Sequence, residues 1–175
     1  MAETLTPISP AQGLLPITTG SLTLSEVVPE AITSLMAPDG RTKDLPAPGE
    51  VWTQDGRRTI WSGRGQALVL GSPHPIPPGI VQTNQSDAWC VMALDGTAVA
   101  PCLARLTPLD LRLSEFPVGT SARSLLGHMN ALFVRDGADR FMILVFRSMA
   151  RTAVHDLSAA MAGLHARHAL RGETA

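Results

Sequence analysis

The chain has 175 residues, 45% of them hydrophobic and 17% charged, with a net charge of −1 and a mean hydropathy of +0.14. That length suits one domain or two small packed halves, with a core that needs neither disulfide nor metal. A near-neutral chain with no Tyr, three Trp and four Phe lacks the basic face and stacking aromatics of a nucleic-acid platform.

The low charged share fits two readings equally: a surface partly covered by a partner, or a composition rich in Ala and Leu. MAETLTPISPAQG, at the start, lacks the basic and apolar regions of a secretion signal. The longest strongly apolar run, Phe141 to Phe146, is too short to span a bilayer. The expectation is a cytoplasmic protein without membrane contact.

In chain order, residues 1–24 are rich in Pro, Thr, Ser and Gly and show no helical period. They read as an extended arm that orders against something else, wrapping a neighbouring subunit with Leu14, Leu15, Ile17, Leu22 and Leu24. Residues 25–71 read as a first, shortened α+β half. Ala31 to Met36 is a candidate strand, and Pro38 to Pro48 a loop. Val51 to Thr53, Thr59 to Trp61 and Gln66 to Leu70 are meander strands, joined by the hairpin signal Asp55-Gly56 and by Ser62-Gly63-Arg64-Gly65. Residues 72–83, with the prolines of GSPHPIPPG, read as a stiff linker.

Residues 84–166 form a second α+β half: strand, helix, three-stranded meander, helix. Ala88 to Leu94 is apolar on both faces, as in a central strand. A helix follows with Val99, Cys102, Leu103 and Leu106 at helical spacing, Thr97 as its N-cap and Pro108 as its end. Ala122 to Leu126, Ala131 to Val134 and Phe141 to Phe146 are the meander. Ser148 caps a last helix whose apolar stripe is Ala153, Leu157, Ala160, Met161 and Leu164. Residues 167–175 are a tail. The halves echo one another: Pro48-Gly49, Gly56 and Leu68 to Leu70 have counterparts in Pro117 to Gly119, Gly127 and Ile143 to Val145, the mark of a degraded duplication.

The search for chemistry is mostly negative. Gly63-Arg64-Gly65 lacks the third glycine and following helix of a dinucleotide fingerprint, and no GxxxxGK[ST] or GxSxG is present. Cys90 and Cys102 form no CxxC pair and have no His at zinc-ligand spacing, so they read as buried free thiols. His165 and His168 share a helix face in a charged, solvated tail. His74 and His155 have no carboxylate partner that sequence can identify. His128, in a tight turn, either touches a ligand or partner or bonds to local backbone. Asp87 and Trp89 precede and open an apolar strand. Arg147 ends another, where it is expected to pair with Asp87 or Asp110. Asp87, Trp89, His128 and Arg147 are thus structural or interface candidates.

The motifs Ser86-Asp87-Ala88-Trp89, Pro108-Leu109-Asp110-Leu111, Phe116-Pro117 to Gly119, Leu126-Gly127-His128 and Phe146-Arg147-Ser148 run in that order through half the chain. In these the chain resembles the gamma subunit of the heterotetrameric, tetrahydrofolate-dependent sarcosine oxidases. The resemblance implies a complex that turns the N-methyl group of sarcosine into methylenetetrahydrofolate, with glycine and hydrogen peroxide. It implies alpha, beta and delta subunits as partners. It also implies FAD and covalent FMN largely on beta, NAD and tetrahydrofolate on alpha, and zinc on delta. For this chain it implies no catalytic residue, no cofactor or metal, and a fold like part of the folate-binding aminomethyltransferases. Two alternatives stand beside it. A free-standing aminomethyltransferase-like protein would carry acidic residues at the turn that here reads His128-Met129-Asn130-Ala131. A scaffold subunit of a related demethylase is the other. The cysteines lack the KGCxxGQ-type context of the related iron–sulfur maintenance proteins.

Overall fold

The computed structural model describes residues 8–38, 42–72, 75 and 78–172. Eleven strands are described: β1 (Ile17–Thr19), β2 (Leu22–Val27), β3 (Ile32–Met36), β4 (Val51–Gln54), β5 (Arg57–Gly63), β6 (Gln66–Leu70), β7 (Val81–Asn84), β8 (Trp89–Asp95), β9 (Ser121–Leu126), β10 (Met129–Gly137) and β11 (Arg140–Phe146). Helix α1 (Val99–Leu103) follows β8, and α2 (Ala150–Arg171) follows β11, with short 3-10 turns at Thr42–Asp44 and Arg147–Met149. This is the α+β class that the sequence predicts. None of the described helices is long and apolar enough to cross a membrane.

The strands form two antiparallel sheets, in the orders β1-β2-β8-β11-β10-β9 and β4-β5-β6-β3-β7. Turn chemistry sets the registers. Asp55 and Gly56 take positive φ of 50° and 75°, as a two-residue primed hairpin turn requires, so Val51 faces Ile60. β8 is buried from Cys90 to Leu94 because both its faces are covered. One face packs on α1 and α2 through Cys90, Met92, Cys102, Leu103, Leu157 and Met161. The other packs on the second sheet, where Val91, Leu132, Val134, Met142 and Leu144 meet Ile32, Ile60, Leu68 and Leu70.

The registers make the duplication explicit and move one expected counterpart by a residue: Leu68 to Leu70 match Met142 to Leu144, not Ile143 to Val145. Ile60 lies opposite Leu68 and Leu70 opposite Ile32; Val134 lies opposite Met142 and Leu144 opposite Val91. The two quartets occupy equivalent places in the two sheets and meet in one core. Both hairpins carry a bulge at the same place, next to Gly63 and next to Gly137. The strand that precedes each repeat is exchanged: β2, which leads to β3, pairs with β8, and β7, which leads to β8, pairs with β3.

That exchange corrects several expectations. The arm is not free to wrap a neighbour. Leu22 and Leu24 are 2% and 0% exposed in the chain's own core, Ala11 is buried, and Leu14, Leu15 and Ile17 pack beside them. A boundary at residue 24 would cut β2, and the expected linker 72–83 contains the start of β7; residues 1–7 and His74 lie outside the described residues. Neither helix is capped by a side chain. Ala98, not Thr97, stands at the N-cap of α1, and Met149, not Ser148, at that of α2. The stripe of α2 is buried as expected from Ala153 to Leu164. Gly172, at φ 66°, ends the helix in the left-handed conformation.

Candidate functional site

The two sheets part at both ends, and each end opens into a cleft. The first, of about 200 Å³, lies between Ser34, Gln66 and Leu68 on one sheet and Trp89, Asn130, Leu132 and Phe146 on the other, with Gln85 and Arg123 at its wall. β8 and β11 pair Trp89 with Phe146, and their rings stack at 4.7 Å between centroids. Trp89 is half-buried and Phe146 is 44% exposed. A ring of this size that stays in water forgoes much of its burial free energy. Arg123, exposed on β9, donates from Nη1 to the Ser62 carbonyl at 3.2 Å.

The second cleft is the equivalent of the first across the duplication. It is lined by Glu30, Arg57, Arg58, Ser72, Asp136 and Arg140, among others. Here the charges are paired internally. Arg58 Nη1 donates to both oxygens of Asp136 at 2.7 and 2.8 Å. Arg140 donates to Asp95 at 2.6 Å and lies 3.7 Å from Asp136. Ser72 donates to Glu30 at 2.5 Å.

The sequence candidates fall as follows. Asp87, Trp89 and Arg147 come together around a third cleft with Glu26 and Glu30. The expected ion pair is absent. Arg147 donates to the carbonyl of Ile8, and Asp110 is held by Arg112. The arginine's hydrogen bonds keep the Asp110 carboxyl at about 2, well below the usual carboxylate range. Asp87 is exposed in the turn before β8 and makes no ion pair among the described residues. His128 stands apart, exposed in the two-residue turn from β9 to β10, and His165 and His168 lie on the far end of α2.

Burial pushes the Cys90 thiol up to about 12, with Glu26 adding to the shift and Arg147 opposing it. Burial raises Cys102 to about 11. Both are free, buried thiols, poor nucleophiles and poor metal ligands at neutral pH. No group of three or more His, Cys, Asp or Glu lies together among the described residues. Arg135, 2% exposed, is held by the carbonyls of Leu111 and Ala138 and by the face of Phe141 at 4.5 Å. Burial lowers its pKa. It pins the loop before β9 and is placed as a structural group. Sequence reasoning missed Arg123 and Phe146. The first carried no pattern, and the second sat in a run that reads as core.

No protein-family model matches the chain, and no curated protein matches it either. A comparison of folds does find a relative. The chain is similar to a chain of the heterotetrameric sarcosine oxidase from Corynebacterium sp. U-96, solved in complex with pyrrole 2-carboxylate, with 26% identity and a TM-score of 0.79. The likeness covers 91% of this chain and 96% of that one. The fold is that of a sarcosine oxidase subunit. At 91% of this chain, the likeness takes in both sheets. The resemblance noted from the sequence motifs and the resemblance in fold therefore point to the same kind of protein.

Proposed function

We propose that this chain is the non-catalytic, gamma-type subunit of a heterotetrameric sarcosine oxidase. In that complex sarcosine is oxidatively demethylated to glycine, with hydrogen peroxide and methylenetetrahydrofolate as the other products. The flavins, NAD, tetrahydrofolate and zinc reside on alpha, beta and delta partners. One observation carries the reading: the likeness to a sarcosine oxidase chain runs nearly end to end in both chains. The motifs around Trp89, Asp110, His128 and Arg147 support it independently. So does the buried state of both cysteines, which leaves them little capacity for nucleophilic chemistry.

The test is purification of the tagged full chain from its native cells, with the visible spectrum and peroxide output of the eluate. The expected eluate contains a flavoprotein, shows flavin absorption and makes peroxide from sarcosine. The same chain produced alone is colourless and inactive. An eluate with no flavoprotein overturns membership in the complex. A chain that is yellow by itself, or oxidises sarcosine by itself, overturns the non-catalytic role.

A further inference from the structure

The duplication supplies an internal control for the first cleft. The cross-strand pair Trp89 and Phe146 occupies the place that Glu30 and Ser72 occupy at the opposite end. Gln66 and Met36 occupy the place of Arg140 and Asp95, as the registers require. At the Glu30 end, where the cleft is wider at about 520 Å³, two ion pairs and a hydrogen bond satisfy the charged and polar side chains within the chain. At the Trp89 end the equivalent positions are apolar or uncharged, and the one charged side chain, Arg123, bonds among the described residues only to the Ser62 carbonyl. There the inner rows of the two sheets, with Ile32 and Leu144, are buried against each other. The outer rows run on into solvent with further apolar side chains on the same faces, and of these Trp89 and Phe146 line the cleft itself.

Met36 lies on the same face of β3 as Ile32 and Ser34 by the two-residue period of a strand. It is 46% exposed, and Val81, paired directly across from it on β7, is 49% exposed. On the facing sheet Leu125 and Phe146 are 43% and 44% exposed. Scattered single apolar residues on a surface need no explanation, but rows on two facing sheets do. Arg123 adds a charge to the same mouth. It has no carboxylate partner among the described residues, and no acidic side chain lines the cleft.

We propose that this mouth is the docking site of a partner subunit, which inserts one extended segment bearing an apolar side chain and a carboxylate. The inference rests on the reading above that the chain works inside a larger complex. Facing sheets sit about 10 Å apart, so the gap takes the side chains of one segment and excludes another sheet. A carboxylate complements a cleft that holds one cation and no anion. Trp and Arg beside a desolvated pocket are the residue types that dominate interface energetics. The Trp89 end leaves apolar side chains in water while its equivalent is lined by groups that pair with one another, so its cover comes from outside the chain.

The test uses the tagged full chain in its native cells, as wild type, Phe146→Ser, Arg123→Glu and, as a control on the far end of α2, Leu170→Ser. Leu170 is 88% exposed. Wild type and control should retain the flavin-containing partners. Phe146→Ser and Arg123→Glu should each lower retention at least about tenfold, while circular dichroism of the chain produced alone stays unchanged. A second readout does not depend on the variants. The dye ANS should bind the wild-type chain alone and be excluded from the assembled complex. If wild type retains the partners and both cleft variants do so equally, or the complex binds ANS as the lone chain does, the docking site is wrong and the subunit reading survives. If wild type retains no flavoprotein, the subunit reading falls and the docking site falls with it. A small molecule found in the cleft of an intact complex also overturns the proposal.

Discussion

The Arg58–Asp136 ion pair makes a quantitative prediction. Asp136 is 9% exposed at its side chain and Arg58 is 38% exposed, so the two ends of this ion pair are not equivalent. Arg58→Met keeps the aliphatic stem beside Met142 but leaves a buried carboxylate whose other cation, Arg140, is 3.7 Å away. Breaking a fully buried pair from one side costs about 3–5 kcal/mol. The partial exposure of Arg58 and the residual attraction of Arg140 reduce this to about 1.5–2.5 kcal/mol. Asp136→Asn leaves cations that turn into water, at a cost of about 0.5–1 kcal/mol. The double variant should show a coupling of about 1 kcal/mol. At about 2–4 °C per kcal/mol for a chain of this size, Arg58→Met lowers Tm by about 3–10 °C. The assay is thermal unfolding by circular dichroism, repeated at high salt, where a buried pair is screened little. If Arg58→Met costs less than Asp136→Asn, or the coupling vanishes, the assignment of Asp136 as the desolvated partner is refuted.

Trp89→Ala should cost about 2 kcal/mol, half a large side chain's burial plus one ring stack, against about 3–5 kcal/mol for the fully buried Phe141→Ala; urea midpoints separate the two. Ellman's reagent at pH 8 should find no reactive thiol in the native chain and two after denaturation. Because burial raises the Cys90 pKa to about 12, its contribution to stability is intact below the unfolded value near 8.5. It is lost as pH rises from there towards 12, so Tm should fall above pH 9 and Cys90→Ala should flatten the fall. A Cβ at Gly96, where φ is 131°, would sit 2.0 Å from the Ser21 carbonyl oxygen. Gly96→Ala should therefore cost about 3 kcal/mol or more. Gly56→Ala, at positive φ in open space, should cost only about 1 kcal/mol. Equal melting temperatures for these two would show that β2 does not press against the end of β8.

Local order was legible in the sequence and long-range pairing was not. Asp55-Gly56 announced β4 and β5, the apolar run Cys90 to Leu94 announced a central strand, and Ala153 to Leu164 announced α2. Each rests on turn chemistry or a period inside one segment. The N-terminal strands were missed for a definable reason. Pro16 and Gly20 rule out a helix there, but Leu22 and Leu24 alternate with Thr23 and Ser25, a strand period. β7, reading Val-Gln-Thr-Asn with all four residues exposed, offers no alternation to detect. Of the candidate site, Trp89 was legible as a residue but not as an exposed one. The end of the opposing sheet, not anything near Trp89 in the chain, decides that it and Phe146 stay half in water.

The strand exchange explains why the mouths could diverge without loss of the fold. Each sheet contains one strand of the other repeat, β2 beside β8 and β7 beside β3, so neither repeat completes its sheet alone. The two repeats share one inter-sheet core through the central quartets, Ile32, Ile60, Leu68 and Leu70 against Val91, Val134, Met142 and Leu144. The rows outside those quartets can change character while that core is kept. At one end they became Glu30, Ser72, Arg140 and Asp95, which satisfy one another. At the other they became Trp89, Phe146, Gln66 and Met36, which do not. An apolar row that its own chain leaves half uncovered forgoes part of its burial free energy, which calls for a role outside the fold. A partner-binding mouth supplies one, and it is the arrangement expected of a chain whose work is done inside a complex.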